Sequence, residues 1–190
     1  MNISIVIPVY NEEENVSPLY KELKEVLSSL KKSHEIIFVD DGSTDKTKDR
    51  IEAIAQKDMH TKTVSFRTNR GKSAALMAGF DKSSGNIIFT MDGDLQDNPN
   101  EIPKFIEKIK KGYDLVSGWK FRRHDPITKT LPSRFFNFLT RVLTGVSVHD
   151  SNCGFKAYRR EVIKSLNIYG ELHRYIPSLT HWMGFRVGEV

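Results

Sequence analysis

The chain has 190 residues, 38% hydrophobic and 28% charged, which is ordinary for one globular domain and excludes a disordered or low-complexity protein. The longest nearly unbroken apolar run, residues 3–10, is too short to cross a bilayer, and the single cysteine excludes an internal disulfide. The net charge is +5. Residues 119–164 contain ten Lys and Arg but three Asp and Glu, a local net charge of +7, so the rest of the chain has a net charge of about −2. This uneven distribution predicts an anionic partner for the basic segment and a metal site in the rest of the chain.

Short apolar strands alternate with amphipathic helices up to residue 118. Strands are predicted at residues 3–9, 35–39, 63–66, 86–91 and 114–118, and helices at residues 15–30, 44–56, 72–83 and 100–111. Ser43 or Thr44 is expected to cap the second helix. The alternation predicts βαβ units, and therefore an α/β fold with a mostly parallel central sheet flanked by helices. In such sheets ligands bind at the carboxyl ends of the strands.

The regular alternation stops after residue 118. A further helix is predicted at residues 131–144, with a phenylalanine-rich stripe flanked by Arg134 and Arg141. This helix either packs on the sheet or lies in a membrane interface with its arginines toward the headgroups. Val190 falls within a predicted strand, so we expect the sequence to be truncated.

An acidic segment follows the fourth strand. In Asp92-Gly93-Asp94-Leu95-Gln96, two carboxylates and a side-chain carbonyl occupy alternating positions, which is a hard oxygen ligand set suited to Mg²⁺ or Mn²⁺. Gly93 lets a ligand approach the backbone closely. The alternative is a purely structural role, as an Asx-rich turn after a strand. The position at a strand end favours the metal site, which water and phosphate oxygens would complete.

Two other strand ends carry polar groups. Asp40 and Asp41 end the second strand, where a carboxylate can accept hydrogen bonds from a ribose hydroxyl or a base N–H. Residues 67–72, Arg-Thr-Asn-Arg-Gly-Lys, lead into a helix and form a natural anion site. The spaced glycines of a Walker loop or of a dinucleotide-binding dehydrogenase are missing. We expect Asp40, Asp92 and Asp94 to share one cleft that grips a pyrophosphate through a divalent ion.

These segments together resemble the family 2 glycosyltransferases with the GT-A fold, especially the polyprenyl-phosphate (dolichol-phosphate) hexosyltransferase group. The matching segments are residues 6–12 (VIPVYNE), 39–45 (VDDGSTD), 67–76 (RTNRGKSAAL), 92–97 (DGDLQD), 150–156 (DSNCGFK) and 171–177 (ELHRYIP). The match runs in order over nearly the whole chain. One departure is Asn98-Pro99, where the group usually has two prolines. Members also usually continue into transmembrane helices.

The resemblance implies roles for particular residues. The nucleoside would be held by Pro8, Tyr10, Glu12, Asp40 and Asp41. Asp92, Asp94 and Gln96 would hold the metal, and Lys72 would lie near the donor. The chain would then form a single catalytic domain, with residues 1–118 as the nucleotide-sugar half and residues 119–190 as the acceptor half.

The resemblance also implies inverting transfer of a hexose from a UDP- or GDP-sugar. A phosphate acceptor, whose second pKa is about 6, needs cations more than a base. Candidates for these cations are Arg122, Arg134 and, by resemblance, Arg174, because an arginine fork can bind two phosphate oxygens. A hydroxyl acceptor would need a general base, for which Asp150 is the best candidate.

The preferred interpretation is a polyprenyl-phosphate glycosyltransferase at the cytoplasmic face of the cell membrane. The alternative within enzymes is transfer to a hydroxyl of a polysaccharide or lipid-linked glycan. A nucleic-acid-binding surface would explain the basic segment but not the acidic strand ends, so no nucleic-acid partner is predicted. A catalytically inactive fragment that only binds partners stays open. Neither the particular sugar nor the oligomeric state follows from the sequence.

Overall fold

The computed structural model describes residues 2–119 and 148–190. The predicted helix at residues 131–144, and with it Arg122 and Arg134, lies outside the described residues.

Seven strands and six helices make up the described part of the chain. The strands are β1 (Ile3–Val9), β2 (His34–Asp40), β3 (Thr61–Ser65), β4 (Ile87–Thr90), β5 (Leu115–Ser117), β6 (Lys156–Arg159) and β7 (Val187–Glu189). The helices are α1 (Val16–Ser29), α2 (Thr47–Lys57), α3 (Lys72–Lys82), α4 (Ile102–Lys110), α5 (Arg160–Ser165) and α6 (Ile176–Trp182). Short 3₁₀ turns at Pro99–Glu101 and Leu172–Tyr175 precede α4 and α6.

The strands form one sheet in the order β3-β2-β1-β4-β6-β5-β7. β1 pairs in parallel with β2 and β4, and β2 pairs in parallel with β3. β6 is antiparallel to both β4 and β5, whereas β7 is parallel to β5, so β6 alone among these strands runs against the rest. The predicted mostly parallel sheet is confirmed, and strands from both halves of the chain build it.

Helices cover both faces of the sheet. Along β1, Ile3, Ile5 and Ile7 face a core shared with α1, α2 and α4, while Val6 faces a second core shared with α3, α5 and α6. This alternation follows from the period of two in a strand, and because both faces are covered the buried strands are apolar throughout. The three-layer arrangement leaves the carboxyl ends of β1, β2 and β4 together at one edge of the sheet.

The predicted cap of the second helix is wrong. α2 begins at Thr47, three residues later than expected, and the Thr47 amide donates to Asp45 Oδ1 at 2.9 Å. Ser43 Oγ instead accepts from the Asn11 amide at 3.0 Å, and the Thr44 amide donates to Asn11 Oδ1 at 2.8 Å. The turn that follows β2 is therefore bonded to the loop after β1, a long-range contact that local capping rules do not include.

Candidate active site

A cleft of about 270 Å³ opens at the carboxyl edge of the sheet. Its lining comes from the ends of β1, β2 and β4 and from the start of α3: Pro8, Val9, Tyr10, Glu12, Asp41, Lys72, Asp92, Gly93 and Asp94. Four of these side chains are acidic and one is basic. The sheet topology explains why these charged side chains lie close together, because the carboxyl ends of parallel strands lie at one edge of the sheet.

The segment after β4 presents two carboxylates to this cleft. Asp94 is exposed, and its Oδ1 accepts the Gln96 amide at 3.1 Å across a turn in which Leu95 has a φ of 62°. Asp92 is less exposed, and its amide donates to Asp97 Oδ2 at 3.2 Å. Gln96 is exposed at the same turn, although its side chain is not among those that line the cleft.

The amino end of α3 supplies the basic side of the cleft. Lys72 Nζ lies 2.5 Å from Asp92 Oδ1. Just before Lys72, both carboxylate oxygens of Asp41 accept backbone amides, from Arg70 at 2.7 Å and from Gly71 at 2.9 Å. Asp41 therefore fixes the anion-binding loop predicted at residues 67–72 in place over the end of β2.

Asp40, unlike its neighbour, does not line the cleft. Its side chain is buried and accepts the Ser43 amide at 3.0 Å, so Asp40 supports the turn that opens at Gly42. That turn needs a glycine, because φ is 75° and a Cβ at residue 42 would lie 2.5 Å from the Thr68 carbonyl carbon. The aspartates that share the cleft are therefore Asp41, Asp92 and Asp94, in place of the expected Asp40, Asp92 and Asp94.

A second, small and enclosed pocket adjoins the cleft. Pro8, Lys72 and Asp92 line both, and the enclosed pocket adds side chains such as Asn152, Lys156 and His173. Lys156 is 3% exposed, and its ammonium donates to the Cys153 carbonyl. Burial lowers the pKa of Lys156. Lys156 belongs to the family-like segment at residues 150–156, but the sequence predicts no role for it. Its buried position at the start of β6, beside the enclosed pocket, is what makes it a candidate site residue.

His173 and Cys153 border the same enclosed pocket. Ser73 Oγ accepts the His173 amide at 3.2 Å and lies 3.1 Å from His173 Nδ1, which ties the turn before α6 to the start of α3. Burial, assisted by the charge of Lys72, lowers the pKa of His173. Burial raises the pKa of the Cys153 thiol to about 11, so this thiol stays protonated and is not a nucleophile at neutral pH.

The remaining predicted site residues lie elsewhere. Asp150 is buried, its Oδ1 accepts the Asn152 amide at 3.2 Å, and it is not among the cleft-lining residues. Arg174 is exposed and its Nε donates to Glu171 Oε2 at 2.8 Å. Arg174, like Asp150, is not among the residues that line the cleft.

The carboxylates of the cleft fit a hard divalent cation bound together with phosphate. Within residues 2–119 and 148–190, no three His, Cys, Asp or Glu side chains are arranged as a complete ligand set. Asp92 and Asp94, however, share one open cleft, and Mg²⁺ beside nucleotide phosphates is usually held by one or two carboxylates. These two residues suit an ion whose other ligands are phosphate oxygens and water.

The fold defines a class of protein, the GT-A glycosyltransferases. Glucosyl-3-phosphoglycerate synthase from Mycobacterium tuberculosis, in complex with phosphoglyceric acid, has the same fold, with a TM-score of 0.78 and 25% identity. The match covers 100% of this chain and 69% of that one. The predicted fold class is confirmed.

Residues 4–166 match the model of the glycosyl transferase family 2, and the chain belongs to that family. It is 37% identical over 181 residues to the dodecaprenyl-phosphate galacturonate synthase of Rhizobium johnstonii, a match covering 94% of this chain and 54% of the relative. It is also 37% identical over 180 residues to the undecaprenyl-phosphate 4-deoxy-4-formamido-L-arabinose transferase of Pseudomonas paraeruginosa, with coverages of 94% and 53%. The chain thus spans about half the length of these relatives. The resemblance to the polyprenyl-phosphate group is confirmed.

Proposed function

We propose that this chain transfers a hexose from a nucleotide-diphosphate sugar to a polyprenyl phosphate, with inversion at the anomeric carbon. The observation that carries the polyprenyl-phosphate acceptor is the 37% identity to two enzymes whose names contain a polyprenyl phosphate, over 94% of this chain. The cleft supports the same conclusion because it joins carboxylates for a cation to a lysine for phosphate.

The donor would lie along the carboxyl edge of the sheet. Tyr10, which is 45% exposed, and Glu12 lie at the β1 end of the cleft, where a nucleoside could stack and hydrogen-bond. Asp40 and Asp41 would contribute to nucleoside binding largely by holding the surrounding loops, since their oxygens accept backbone amides. Lys72 suits the pyrophosphate directly, and Asp92 suits it through a bound cation.

Asp92 and Asp94, with Gln96 at the same turn, would hold Mg²⁺ or Mn²⁺ between them and the donor phosphates. Such an ion acts as a Lewis acid that stabilises the charge developing on the leaving nucleoside diphosphate. The protein's own part is to keep both carboxylates facing the cleft. The Asp92 amide donates to Asp97, and the Gln96 amide donates to the Asp94 carboxylate.

The acceptor would approach from the second half of the chain, residues 119–190. A phosphate acceptor is already largely dianionic and needs positive charge to position it. Arg174 is available at the surface if it exchanges its contact with Glu171, and Arg122 and Arg134 are the further candidates. For a glycan hydroxyl, the alternative acceptor, Asp150 would have to become accessible, since only 3% of it is exposed.

A lipid acceptor places the reaction at a membrane, and we propose its cytoplasmic face. The helices built from residues 2–119 and 148–190 include none with the length and apolar character needed to span a bilayer.

Two measurements test the proposal in sequence. A thermal-shift screen of UDP- and GDP-sugars, each with and without Mn²⁺, should show one donor that raises the unfolding temperature, because a ligand of the folded state stabilises it. That donor, radiolabelled, is then offered with undecaprenyl phosphate or with a glycan acceptor. Label in the lipid phosphate supports the proposal. Label only in the glycan favours the alternative, and no shift with any donor contradicts both.

A further inference from the structure

An ion pair lies where the cleft and the enclosed pocket meet. Lys72 Nζ is 2.5 Å from Asp92 Oδ1, and both residues line both spaces. The two side chains are 34% and 25% exposed. The pair is therefore shielded from full solvation yet open to a ligand that enters the cleft. Asp92 is also one of the two carboxylates that suit a divalent ion.

Asp92 has little freedom to turn away from Lys72. Its amide is bonded to Asp97, and its carboxylate packs against the backbone of residue 154. A Cβ at that glycine would lie 2.3 Å from Asp92 Oδ2 and 2.4 Å from Oδ1, so the carboxylate fills the space where a side chain would be. The Asp92 carboxylate therefore occupies space that residue 154 leaves open because it is a glycine.

Lys72 has a fixed backbone and a movable side chain. The backbone amides of the two preceding residues, Arg70 and Gly71, donate to the Asp41 carboxylate. Helix α3 begins at Lys72 itself. The four-carbon stem lets the ammonium exchange one oxygen partner for another without moving the helix. A pyrophosphate in the cleft would offer it such a partner.

We propose that Lys72 is the resident counter-ion of Asp92, so that a divalent cation and a nucleoside diphosphate bind this site with positive coupling that depends on Lys72. In the free protein the ammonium and a divalent ion compete for one carboxylate, because two cations close to the same oxygen repel each other. When a pyrophosphate enters, Lys72 moves to its oxygens and Asp92 is released. The inference rests on the proposed donor site and adds how its two ligands depend on one another.

The test is Mn²⁺ binding followed by electron paramagnetic resonance, with and without UDP or GDP and corrected for Mn²⁺ held by the nucleotide alone. In the 190-residue chain, the matching nucleotide should raise Mn²⁺ affinity by about tenfold or more. Lys72→Met should bind Mn²⁺ several-fold more tightly without nucleotide, and the enhancement by nucleotide should fall at least about fivefold. Lys62→Met is the matched control, since it breaks a lysine–carboxylate contact of 2.5 Å with Glu35, near the amino ends of β2 and β3.

The outcomes separate the inference from the proposed function. If Lys72→Met keeps the affinities and the enhancement of the unsubstituted chain and of Lys62→Met, the counter-ion role is wrong and the donor site stands. If the unsubstituted chain binds neither Mn²⁺ nor any nucleotide, both the donor site and the inference fail. Weaker Mn²⁺ binding by Lys72→Met in the absence of nucleotide also overturns the inference. If the Lys72 ammonium competes with Mn²⁺ for Asp92, its removal cannot weaken Mn²⁺ binding.

Discussion

Asp94 is the exposed carboxylate of the candidate site, bonded within its own turn only to the Gln96 amide. Asp94→Ala should leave the fold intact and abolish the Mn²⁺-dependent part of nucleotide binding, because one of the two carboxylates proposed to hold the ion is lost. Calorimetric titration of UDP and GDP with and without Mn²⁺ measures this. Asp81→Ala, at an exposed position in the last turn of α3, is the control and should behave as the unsubstituted chain. Full Mn²⁺-dependent affinity in Asp94→Ala would refute the assignment.

Gly154 is required by a close approach rather than by its own dihedral angles. An alanine there would place its Cβ 2.3 Å from Asp92 Oδ2, and the carboxylate would have to leave its position beside Lys72. We expect Gly154→Ala to weaken Mn²⁺-dependent nucleotide binding by about tenfold, on the order of 1.4 kcal/mol. The measurement is the same titration, accompanied by thermal unfolding.

A second glycine provides the contrast for Gly154. Gly184 has a φ of 87°, and a Cβ there meets no atom within 4 Å, so Gly184→Ala should cost stability through backbone strain alone. We expect Gly184→Ala to lower the unfolding temperature without changing nucleotide binding. If both variants lose nucleotide binding in proportion to stability, the packing of Gly154 against Asp92 has no special role.

The residues of the site differ in how far the sequence could predict them. Asp92 and Asp94 were found from their alternation after a buried strand, which is a local pattern. The bonds of Asp41 to Arg70 and Gly71 were not found, because they join residues about 30 apart through the conformation of a loop. Lys156 was missed for a related reason, since its burial depends on which strands flank β6.

At the scale of elements, the loop after β1 and the turn after β2 form one unit. Asn11 has a φ of 55°, donates its amide to Ser43 Oγ, and accepts the Thr44 amide on Oδ1. Glu12 and Glu13 continue the connection, donating amides to Thr47 Oγ1 at 2.7 Å and to Asp45 Oδ2 at 3.2 Å. The unit holds Tyr10 and Glu12 on either side of Asn11 at the cleft.

Asn11→Ala should damage this unit twice. Alanine strains the left-handed backbone that asparagine tolerates, and it removes the acceptor of the Thr44 amide, together costing about 1–3 kcal/mol. Urea unfolding should show this loss, and nucleotide affinity should fall with it. Asn11→Asp, which keeps both properties, should stay near the unsubstituted chain. Asn11→Gly should recover the part of the stability that alanine loses to backbone strain, but neither the part lost with the acceptor nor the affinity. Equal affinity in all variants would show that the unit does not position the site.

The periodicity of apolar residues predicts the positions of helices and strands more accurately than it predicts where they begin and end. The strand predicted at residues 3–9 is observed as Ile3–Val9, and the helix predicted at 15–30 as Val16–Ser29, because apolar spacing reports burial directly. The helix predicted at 100–111 instead begins with a 3₁₀ turn at Pro99–Glu101, after Asn98 Oδ1 accepts the Asn100 amide. Ends depend on such caps and on distant loops, which a repeating pattern does not describe.

At the scale of the whole molecule, carboxylates at opposite edges of the sheet serve different purposes. Those at the carboxyl edge border the cleft. Glu35 and Asp58 instead lie toward the amino ends of β2 and β3, where each makes hydrogen bonds and an ion pair with a lysine. Glu35 accepts from Ser4 Oγ at 2.6 Å and from the Ser84 amide at 2.6 Å, and contacts Lys62 Nζ at 2.5 Å. Asp58 contacts Lys24 Nζ at 2.7 Å and accepts from Tyr20 at 3.0 Å. The interactions of these two carboxylates are therefore separable from binding at the cleft.

Glu35 makes that separation measurable. Burial by itself raises its pKa, but the hydrogen bonds from Lys62, Ser4 and Ser84 outweigh burial and lower the pKa from 4.5 to about 2. A carboxyl whose folded pKa is depressed stabilises the fold fully above its unfolded pKa, and this contribution is lost as the pH falls through the folded value. Glu35→Gln should therefore cost about 2 kcal/mol at pH 6 and progressively less toward about pH 2.

Urea unfolding of the unsubstituted chain and of Glu35→Gln at several pH values between about 6 and 2 checks this expectation. Glu52→Gln, which removes a surface contact of 3.9 Å with Lys48 on α2, is the control and should change stability little at any pH. A deficit of Glu35→Gln that is the same at pH 6 and at about pH 2 would mean that lost packing, not the ionised carboxylate, accounts for it. Because Glu35 lies away from the cleft, nucleotide affinity at pH 7 should be equal in all three proteins, which would show that the acid-sensitive contribution of Glu35 to stability does not extend to the cleft.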